Sequence, residues 1–170
     1  MEEKTNVMRI LDQKKISYRA HCYLESGAVS GTEVASVLGE DPRRVFKTLV
    51  TRAKSGAHYV FMLPVCTELD LKKAAKAVNE KSVEMLPSKE LLPLTGYVHG
   101  GGSPIGMKKS YPVVIDSSAM QWDIIFFSAG KIGYQVALSP RDLSSVIRFR
   151  TADITVNTAK QANGDMEDGG

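Results

Sequence analysis

Position 47 places a lysine inside an otherwise apolar strand pattern. Reading residues 45–50 at period two puts Lys47 between Val45 and Leu49 on one face of the strand. Lysine seldom occupies such a position without a partner. Two interpretations remain open: an edge-strand charge that blocks aggregation, or a fixed cation in a pocket, where a reduced dielectric strengthens its hold on a phosphate or a developing oxyanion.

A glycine-rich loop lies between Tyr97 and Lys109, and its centre reads His99-Gly100-Gly101-Gly102-Ser103-Pro104. Three consecutive glycines let backbone amides approach a polar ligand with no Cβ in the way. A plain connector between two elements is the alternative interpretation.

Two familiar motifs overlap this loop, and both lack their context. His-Gly-Gly-Gly is typical of the oxyanion loop of lipases and esterases, but that fold also needs a Gly-x-Ser-x-Gly elbow, which the chain does not contain. Gly101–Ser110 approximates a phosphate-binding loop, which must open a helix, whereas Pro112 and a predicted strand follow within a few residues. Neither motif is retained.

Candidate nucleophiles and metal ligands are few. None of the three histidines, at positions 21, 58 and 99, has a serine or cysteine at a recognisable local spacing. Cys22 and Cys66 form no Cys-x-x-Cys pair, so we expect reduced thiols, no metal site and no cofactor. Cys22 alternates with its neighbours on a predicted strand, which favours burial as a small hydrophobic residue.

Charge is distributed unevenly along the 170 residues. The formal net charge is +3, but the last 20 residues hold four acidic residues and one lysine, so the first 150 carry +6. A basic body suits a phosphate-bearing partner and is equally ordinary for a soluble domain. The longest apolar run, residues 60–65, is far shorter than the roughly 20 residues of a membrane-spanning helix. With an acidic start and no signal-peptide pattern, a cytoplasmic location and no membrane association are expected.

These candidate groups must be positioned by a mixture of helices and strands. Capping residues and apolar periodicity predict five helices, with Val37 and Leu71 among the buried side chains. Alternation and turn signals predict seven strands, two of them joined as a hairpin. The predicted helices cover residues 6–15, 31–38, 70–78, 88–92 and 140–148, and the predicted strands cover 17–23, 45–52, 58–63, 82–86, 113–116, 123–127 and 134–138. Because the two kinds of element do not alternate strictly, we expect a single α+β domain, with a mixed, mostly antiparallel sheet or partly closed barrel flanked by helices.

Four separated strings carry a family resemblance: residues 45–49 (Val-Phe-Lys-Thr-Leu), 69–77, 96–104 and 128–131. In this order they resemble the YbaK/EbsC family of Cys-tRNA(Pro) deacylases, which is related to the editing domain inserted in bacterial prolyl-tRNA synthetases. The resemblance extends from about Thr5 to Ile154. It implies an editing domain over residues 1–155. The sequence loses its apolar pattern from Asn157 onward, so an acidic, flexible tail is expected over residues 156–170.

The resemblance also implies roles for individual residues. Lys47 and Gly101 would act in catalysis, and the residues expected to contact the substrate are Tyr23, Ser30, Thr48, Gly100, Gly102, Ser103 and Asp142. Two positions depart from the family pattern: Ile132 replaces an arginine, and Ser30 stands where many members have an aromatic residue. Both changes bear on which amino acid the pocket accepts.

The family chemistry is substrate-assisted, since the cysteine thiol attacks its own ester, and this agrees with the absence of a recognisable nucleophile. The leading hypothesis is therefore a trans-editing deacylase for Cys-tRNA(Pro), and possibly Cys-tRNA(Cys), that acts with prolyl-tRNA synthetase. One alternative is a deacylase for another small aminoacyl-tRNA(Pro), such as alanyl, with water as the nucleophile. The other is a non-catalytic module that binds a nucleotide or the tRNA acceptor end, with Lys72, Lys73 and Lys76 contacting RNA.

Overall fold

The computed structural model describes residues 4–28 and 30–156. The predicted acidic tail falls almost wholly on residues 157–170, which lie outside the described residues. The helices are α1 (Asn6–Gln13), α2 (Gly31–Leu38), α3 (Leu71–Ala77), α4 (Ser88–Thr95) and α5 (Pro140–Leu143). The strands are β1 (Arg19–Cys22), β2 (Phe46–Ala53), β3 (His58–Pro64), β4 (Val83–Met85), β5 (Val113–Asp116), β6 (Ile125–Ser128), β7 (Tyr134–Leu138) and β8 (Phe149–Ala152).

The strands form two sheets. The larger has the order β4-β2-β3-β5-β8, in which β4, β2 and β3 pair antiparallel while β5 pairs parallel with both β3 and β8. The smaller is antiparallel, with the order β1-β7-β6. A parallel bridge between Val45 and Phe126 joins the sheets without closing a full barrel. The predicted α+β class with mixed, mostly antiparallel pairing is confirmed.

Two apolar layers pack on opposite faces of the larger sheet. Val60 and Met62 of β3 point into a cluster shared with α1 and the smaller sheet, whereas Phe61 and Leu63 point towards α3. Successive strand residues alternate between faces, and all four side chains are fully buried. β3 is therefore the central strand of the core.

Helix boundaries follow from capping groups. The Thr5 hydroxyl accepts the Met8 N–H at 3.2 Å at the start of α1. The carboxylate of Asp70 accepts two backbone N–H groups of α3. Each satisfied cap contributes about 1 kcal/mol, which is significant for helices only seven or eight residues long.

Two helix predictions were wrong in extent. α4 was expected to end before Pro93, but it continues through Pro93 to Thr95 and ends at Gly96. The proline removes an N–H that would bond to the carbonyl of Lys89, and Lys89 is exposed, so water can satisfy that carbonyl. Ser88 is the first helical residue of α4 and Pro87 is its N-cap.

The second error concerns the end of the chain. α5 was expected to reach residue 148, but it ends at Leu143 and isolated turns carry the backbone to Ile147. The strand that follows, β8, was not predicted, because its side chains are partly or fully exposed and carry no alternation. Its position is determined by backbone pairing with β5.

Three predictions of burial were also wrong. Val37 and Leu71 are 50% and 41% exposed, because α2 and α3 are too short to bury a wide face. Cys22 is exposed, since β1 is an edge strand whose four residues are all exposed or partly exposed. No helix among the described residues is both long and apolar enough to cross a membrane.

Candidate functional site

A cavity of about 400 Å³ opens where β2, α2, α4, the glycine-rich loop and the ends of β6 and β7 meet. That volume is typical of sites for small molecules. Most of the lining is apolar. The polar side chains in it are Tyr23, Ser30, Lys47, Thr48, Ser88, Thr95, His99, Ser128 and Gln135.

The edge of β2 forms one whole wall. Six consecutive residues, 45–50, line the cavity, although a strand paired on both sides presents only alternate side chains to one face. The reason is that, among the described residues, β4 and the Leu86 that follows it pair only with residues 50–53, so residues 46–49 have an open edge. Both faces of the strand therefore border the cavity.

Lys47 lies on this open edge and is partly buried. Its Nζ donates a hydrogen bond of 2.6 Å to the carbonyl oxygen of Thr67. Burial lowers the pKa of the ammonium below its ordinary value of 10.5, and the charge of Glu68 opposes that change. A lysine has three N–H donors, so an anchored ammonium remains able to donate to a ligand.

The glycine-rich loop approaches the same cavity through His99, Gly100 and Gly102. The Gly101 N–H donates to the carbonyl of Val98 at 3.0 Å, which closes a tight turn. Gly100, the third residue of that turn, has φ of 88°, a left-handed conformation that glycine adopts without strain. The turn holds the loop against the cavity.

The loop is anchored from behind. The Tyr97 hydroxyl donates to the carbonyl of Ile105, and burial raises the pKa of Tyr97 to about 12. Ile132 packs against Gly101 of the loop: a Cβ added at Gly101 would lie only 3.3 Å from the Ile132 backbone nitrogen. Ile132, one of the two departures from the family pattern, therefore supports the loop and is not part of the lining.

Tyr23 and Ser30 also line the cavity. Tyr23 is 7% exposed and follows β1. Ser30 is the N-cap of α2: its hydroxyl accepts the Glu33 N–H at 3.2 Å while the Glu33 carboxylate accepts the Ser30 N–H. The second departure from the family pattern thus combines a capping role with a place in the cavity.

The structure brings six of the nine predicted site residues together in the lining: Tyr23, Ser30, Lys47, Thr48, Gly100 and Gly102. The other three lie elsewhere. Gly101 and Ser103 are buried within the loop, and the Ser103 hydroxyl accepts the Ile105 N–H at 3.4 Å. Asp142 lies in α5, beyond the end of β7. The roles assigned to all nine residues stay predictions.

Gln135 was missed from the sequence. It is 6% exposed and lines the cavity, and its Oε1 is buried without a hydrogen-bond partner among the described residues. The Thr48 hydroxyl oxygen is in the same condition. Buried polar atoms normally have partners, so both atoms are suited to a ligand. A polar residue inside the apolar run of β7 was the signal that could have identified Gln135.

Reactive groups near the cavity do not form a familiar catalytic set. Neither Cys22 nor Cys66 is in the lining, and within the described residues no hydrogen bond joins His99 to a hydroxyl. The Ser128 hydroxyl instead accepts the Gly130 N–H. Across residues 4–28 and 30–156, no three acidic, histidine or cysteine side chains come together as a metal site would require.

Known proteins share both sequence and fold with this chain. Residues 25–146 match the family model described as an aminoacyl-tRNA editing domain. EbsC of Enterococcus faecalis (strain ATCC 700802 / V583), a proposed Cys-tRNA(Pro)/Cys-tRNA(Cys) deacylase, is 43% identical over 155 residues, which cover 91% of this chain and 94% of EbsC.

Two solved structures are similar in fold at low identity. A hypothetical protein designated APE2540 has a TM-score of 0.81 at 21% identity, over 91% of this chain and all of that chain. A proposed trans-editing enzyme for prolyl-tRNA synthetase has a TM-score of 0.77 at 20% identity, over 91% of this chain and all of its own.

Proposed function

The chain belongs to the family of aminoacyl-tRNA editing domains, and from this premise we propose that it is a trans-editing deacylase that removes cysteine from mischarged Cys-tRNA(Pro). The observation that carries the proposal is the cavity in which anchored Lys47 and the glycine-rich loop meet on the open edge of β2. The name of EbsC supports the same activity at 43% identity.

Lys47 and the loop have complementary tasks in this proposal. The remaining N–H donors of Lys47 stabilise negative charge on the ester or on the terminal phosphate. Gly100 and Gly102 let the loop approach the ester closely. Gly101, the second residue expected in catalysis, would act through the turn that it closes with Val98.

The bond-breaking step uses the substrate's own thiol. The cysteinyl sulfur attacks the ester carbonyl carbon, the bond from that carbon to the ribose oxygen breaks, and the thiol proton passes to the ribose oxygen. The products are uncharged tRNA and cysteine thiolactone, and no oxidant or metal is consumed. Such a reaction needs fixed donors and no protein nucleophile, which suits a lining without a recognisable Ser–His or Cys–His pair.

Mischarged tRNA(Pro) and prolyl-tRNA synthetase are the partners that we propose. The exposed lysines of α3, Lys72 and Lys76, offer a basic surface for RNA. Lys73 is less available, because its Nζ contacts Asp153 at 3.0 Å and the carbonyl of Thr155 at 2.8 Å.

A deacylation panel tests the proposal. Purified protein is mixed with tRNA(Pro) carrying cysteine, S-methylcysteine, serine or alanine, and with Cys-tRNA(Cys), and loss of the ester is followed over time. We expect Cys-tRNA(Pro) to be cleared, and the S-methylcysteinyl ester to be spared because its sulfur carries no proton and cannot form the thiolactone.

The other outcomes identify the competing functions. Equal clearance of the alanyl and S-methylcysteinyl esters would mean that water is the nucleophile and that the chain is a deacylase for small amino acids generally. Tight binding of every charged tRNA with no turnover would mean a binding module.

A further inference from the structure

Within residues 4–28 and 30–156, the backbone of Thr48 has no partner strand on its cavity side. Three hydrogen bonds define the pairing of β2: Val65 N–H to the Val45 carbonyl, Ala53 N–H to the Ala57 carbonyl, and Leu86 N–H to the Val50 carbonyl. In antiparallel pairing, alternate residues direct their N–H and C=O groups to opposite edges. Odd-numbered residues of β2 therefore bond to β3, and the backbone groups of Thr48 point away from β3.

The edge to which Thr48 points is covered only at its two ends. β4 pairs with Thr51–Ala53 at one end, and Phe126 of β6 bridges to Val45 at the other. From Val45 to Val50, whose carbonyl accepts the Leu86 N–H, the gap is five residue steps, about 17 Å at 3.4 Å per residue. Residues 45–50, together with Met85 beside one end and Ser128 beside the other, line the cavity. The open edge is therefore a wall of the cavity and not an outer edge available to another sheet.

Two side-chain oxygens in the cavity lining also lack partners among the described residues. The Thr48 hydroxyl oxygen and the Oε1 of Gln135 are buried without hydrogen bonds among the described residues, and Gln135 is 6% exposed. Acceptors left without partners in a protein interior are costly. A ligand with several N–H donors would satisfy them.

We propose that the aminoacyl group of the substrate binds to the Thr48 edge as a single added strand residue. Its α-ammonium donates to the Thr48 carbonyl and to the Oε1 of Gln135, and its ester carbonyl accepts the Thr48 N–H. In strand addition the ligand is bound through its backbone groups, and its side chain makes no hydrogen bond to the strand. The Thr48 edge is then the site that recognises any α-aminoacyl ester, while the side chains of the cavity select the amino acid.

The placement of Lys47 is compatible with a bound ammonium. Adjacent strand residues direct their side chains to opposite faces of the sheet, so the side chains of Lys47 and Thr48 point in opposite directions. The Lys47 ammonium is held by the Thr67 carbonyl. The negative end of the Thr67 carbonyl dipole offsets part of the lysine charge, and in this proposal Lys47 acts on the ester and phosphate end of the substrate.

The inference rests on the proposed function for the identity of the ligand, so binding is measured separately from turnover. The probe is cysteinyl-3′-amino-3′-deoxyadenosine, in which an amide replaces the ester. The matched control is the des-amino probe, which lacks only the α-amino group of the cysteinyl part. Calorimetry with the full chain should show the des-amino probe binding about 10- to 100-fold more weakly, because charged hydrogen bonds are lost.

A backbone variant tests the N–H directly. Thr48→Pro removes this N–H without touching the β2–β3 ladder, since proline is tolerated where a strand N–H is unpaired. Thr48→Val removes only the hydroxyl and is the matched control. We expect Thr48→Pro to bind the probe about 10-fold more weakly than Thr48→Val.

Each result supports or overturns the inference. Binding within twofold for the two probes, or no binding of either probe to the natural chain, overturns it. If Thr48→Pro does not fold, the comparison of probes on the natural chain decides. Selective binding of the cysteinyl probe without deacylation of Cys-tRNA(Pro) would uphold the Thr48 edge and refute the proposed function alone.

Discussion

β2 is one strand with two different edges. From Thr51 to Ala53 it is paired on both sides, and the hydroxyl of fully buried Thr51 donates to the carbonyl of Tyr59 at 3.1 Å. Around Lys47 and Thr48, β3 is its only partner in the part of the chain that the structure describes, and the strand borders a cavity. The covered half contributes to folding, and the open half is available to a ligand. Substitutions in the sheet interior should therefore lower the free energy of unfolding, whereas substitutions on the open edge should lower activity.

The largest effect is expected in the sheet interior. Phe61 of β3 is fully buried and lies opposite Leu49 of β2. Phe61→Ala would leave a cavity in place of the ring, which costs about 3–5 kcal/mol in the free energy of unfolding. Urea denaturation measures this loss, and Phe61→Leu, which keeps most of the volume, should lose much less. A small loss for Phe61→Ala would mean that this layer is loosely packed.

The next effect is on activity and not on folding. Lys47→Ala should lower kcat/KM on Cys-tRNA(Pro) by about 100-fold, which is typical of losing one fixed donor and equals about 2.7 kcal/mol. The melting temperature should change little, because burial disfavours the charged ammonium. Lys14→Ala changes an exposed lysine outside both the cavity lining and α3, so it is the control and should keep full activity. Wild-type rates from Lys47→Ala would refute the role of Lys47.

A smaller effect is expected on the stability of the loop at alkaline pH. The pKa of Tyr97 is raised to about 12 in the folded chain, against about 10 when unfolded. Between these values the unfolded state has already lost the proton that the folded state retains, so the free energy of unfolding falls as pH rises from about 10 to about 12. Allowing for partial exposure, the loss is on the order of 1–2 kcal/mol.

Tyr97→Phe isolates this contribution. The variant keeps the ring and cannot ionise, so its free energy of unfolding should decline less steeply over the same pH range. Tyr18, whose pKa is also about 12, is present in both proteins and cancels in the difference. Identical pH profiles would show that Tyr97 is accessible to water.

The smallest effect compares two caps. Asp70→Ala and Ser30→Ala each remove a helix cap, at about 1 kcal/mol in the free energy of unfolding. Asp70 lies outside the cavity lining and Ser30 lies in it. We expect similar losses of stability, but a change in KM for Ser30→Ala alone. A changed KM for both variants would mean that helix stability, and not contact with the ligand, controls binding.

The sequence was sufficient for the residues that break a local pattern. Lys47 was identified because a charge interrupts an apolar strand. The loop was identified because three consecutive glycines let backbone amides approach a polar ligand. The resemblance to the YbaK/EbsC family is confirmed by the family match and by the 43% identity to EbsC. These signals are local, so they are visible in a single chain.

What the sequence did not reveal depends on pairing between distant segments. The open edge of Thr48 exists because β4 has only three residues and β6 stops at the Val45 bridge. Gln135 borders the cavity because β7 pairs with β1 and β6. β8 is held by parallel pairing with β5 and carries no apolar alternation. No periodicity within one segment specifies such partners.

The pairing of β1 with β7 has a consequence for the order of synthesis. Arg19–Cys22 pair with residues 134–137, so more than one hundred residues separate the two strands that bring Tyr23 and Gln135 to the cavity. Contacts this distant in sequence form late and slow folding. A chain still emerging from the ribosome can pair β2 with β3, yet it lacks this wall until β7 has been synthesised. We therefore expect the cavity to be complete only after β7 has left the ribosome.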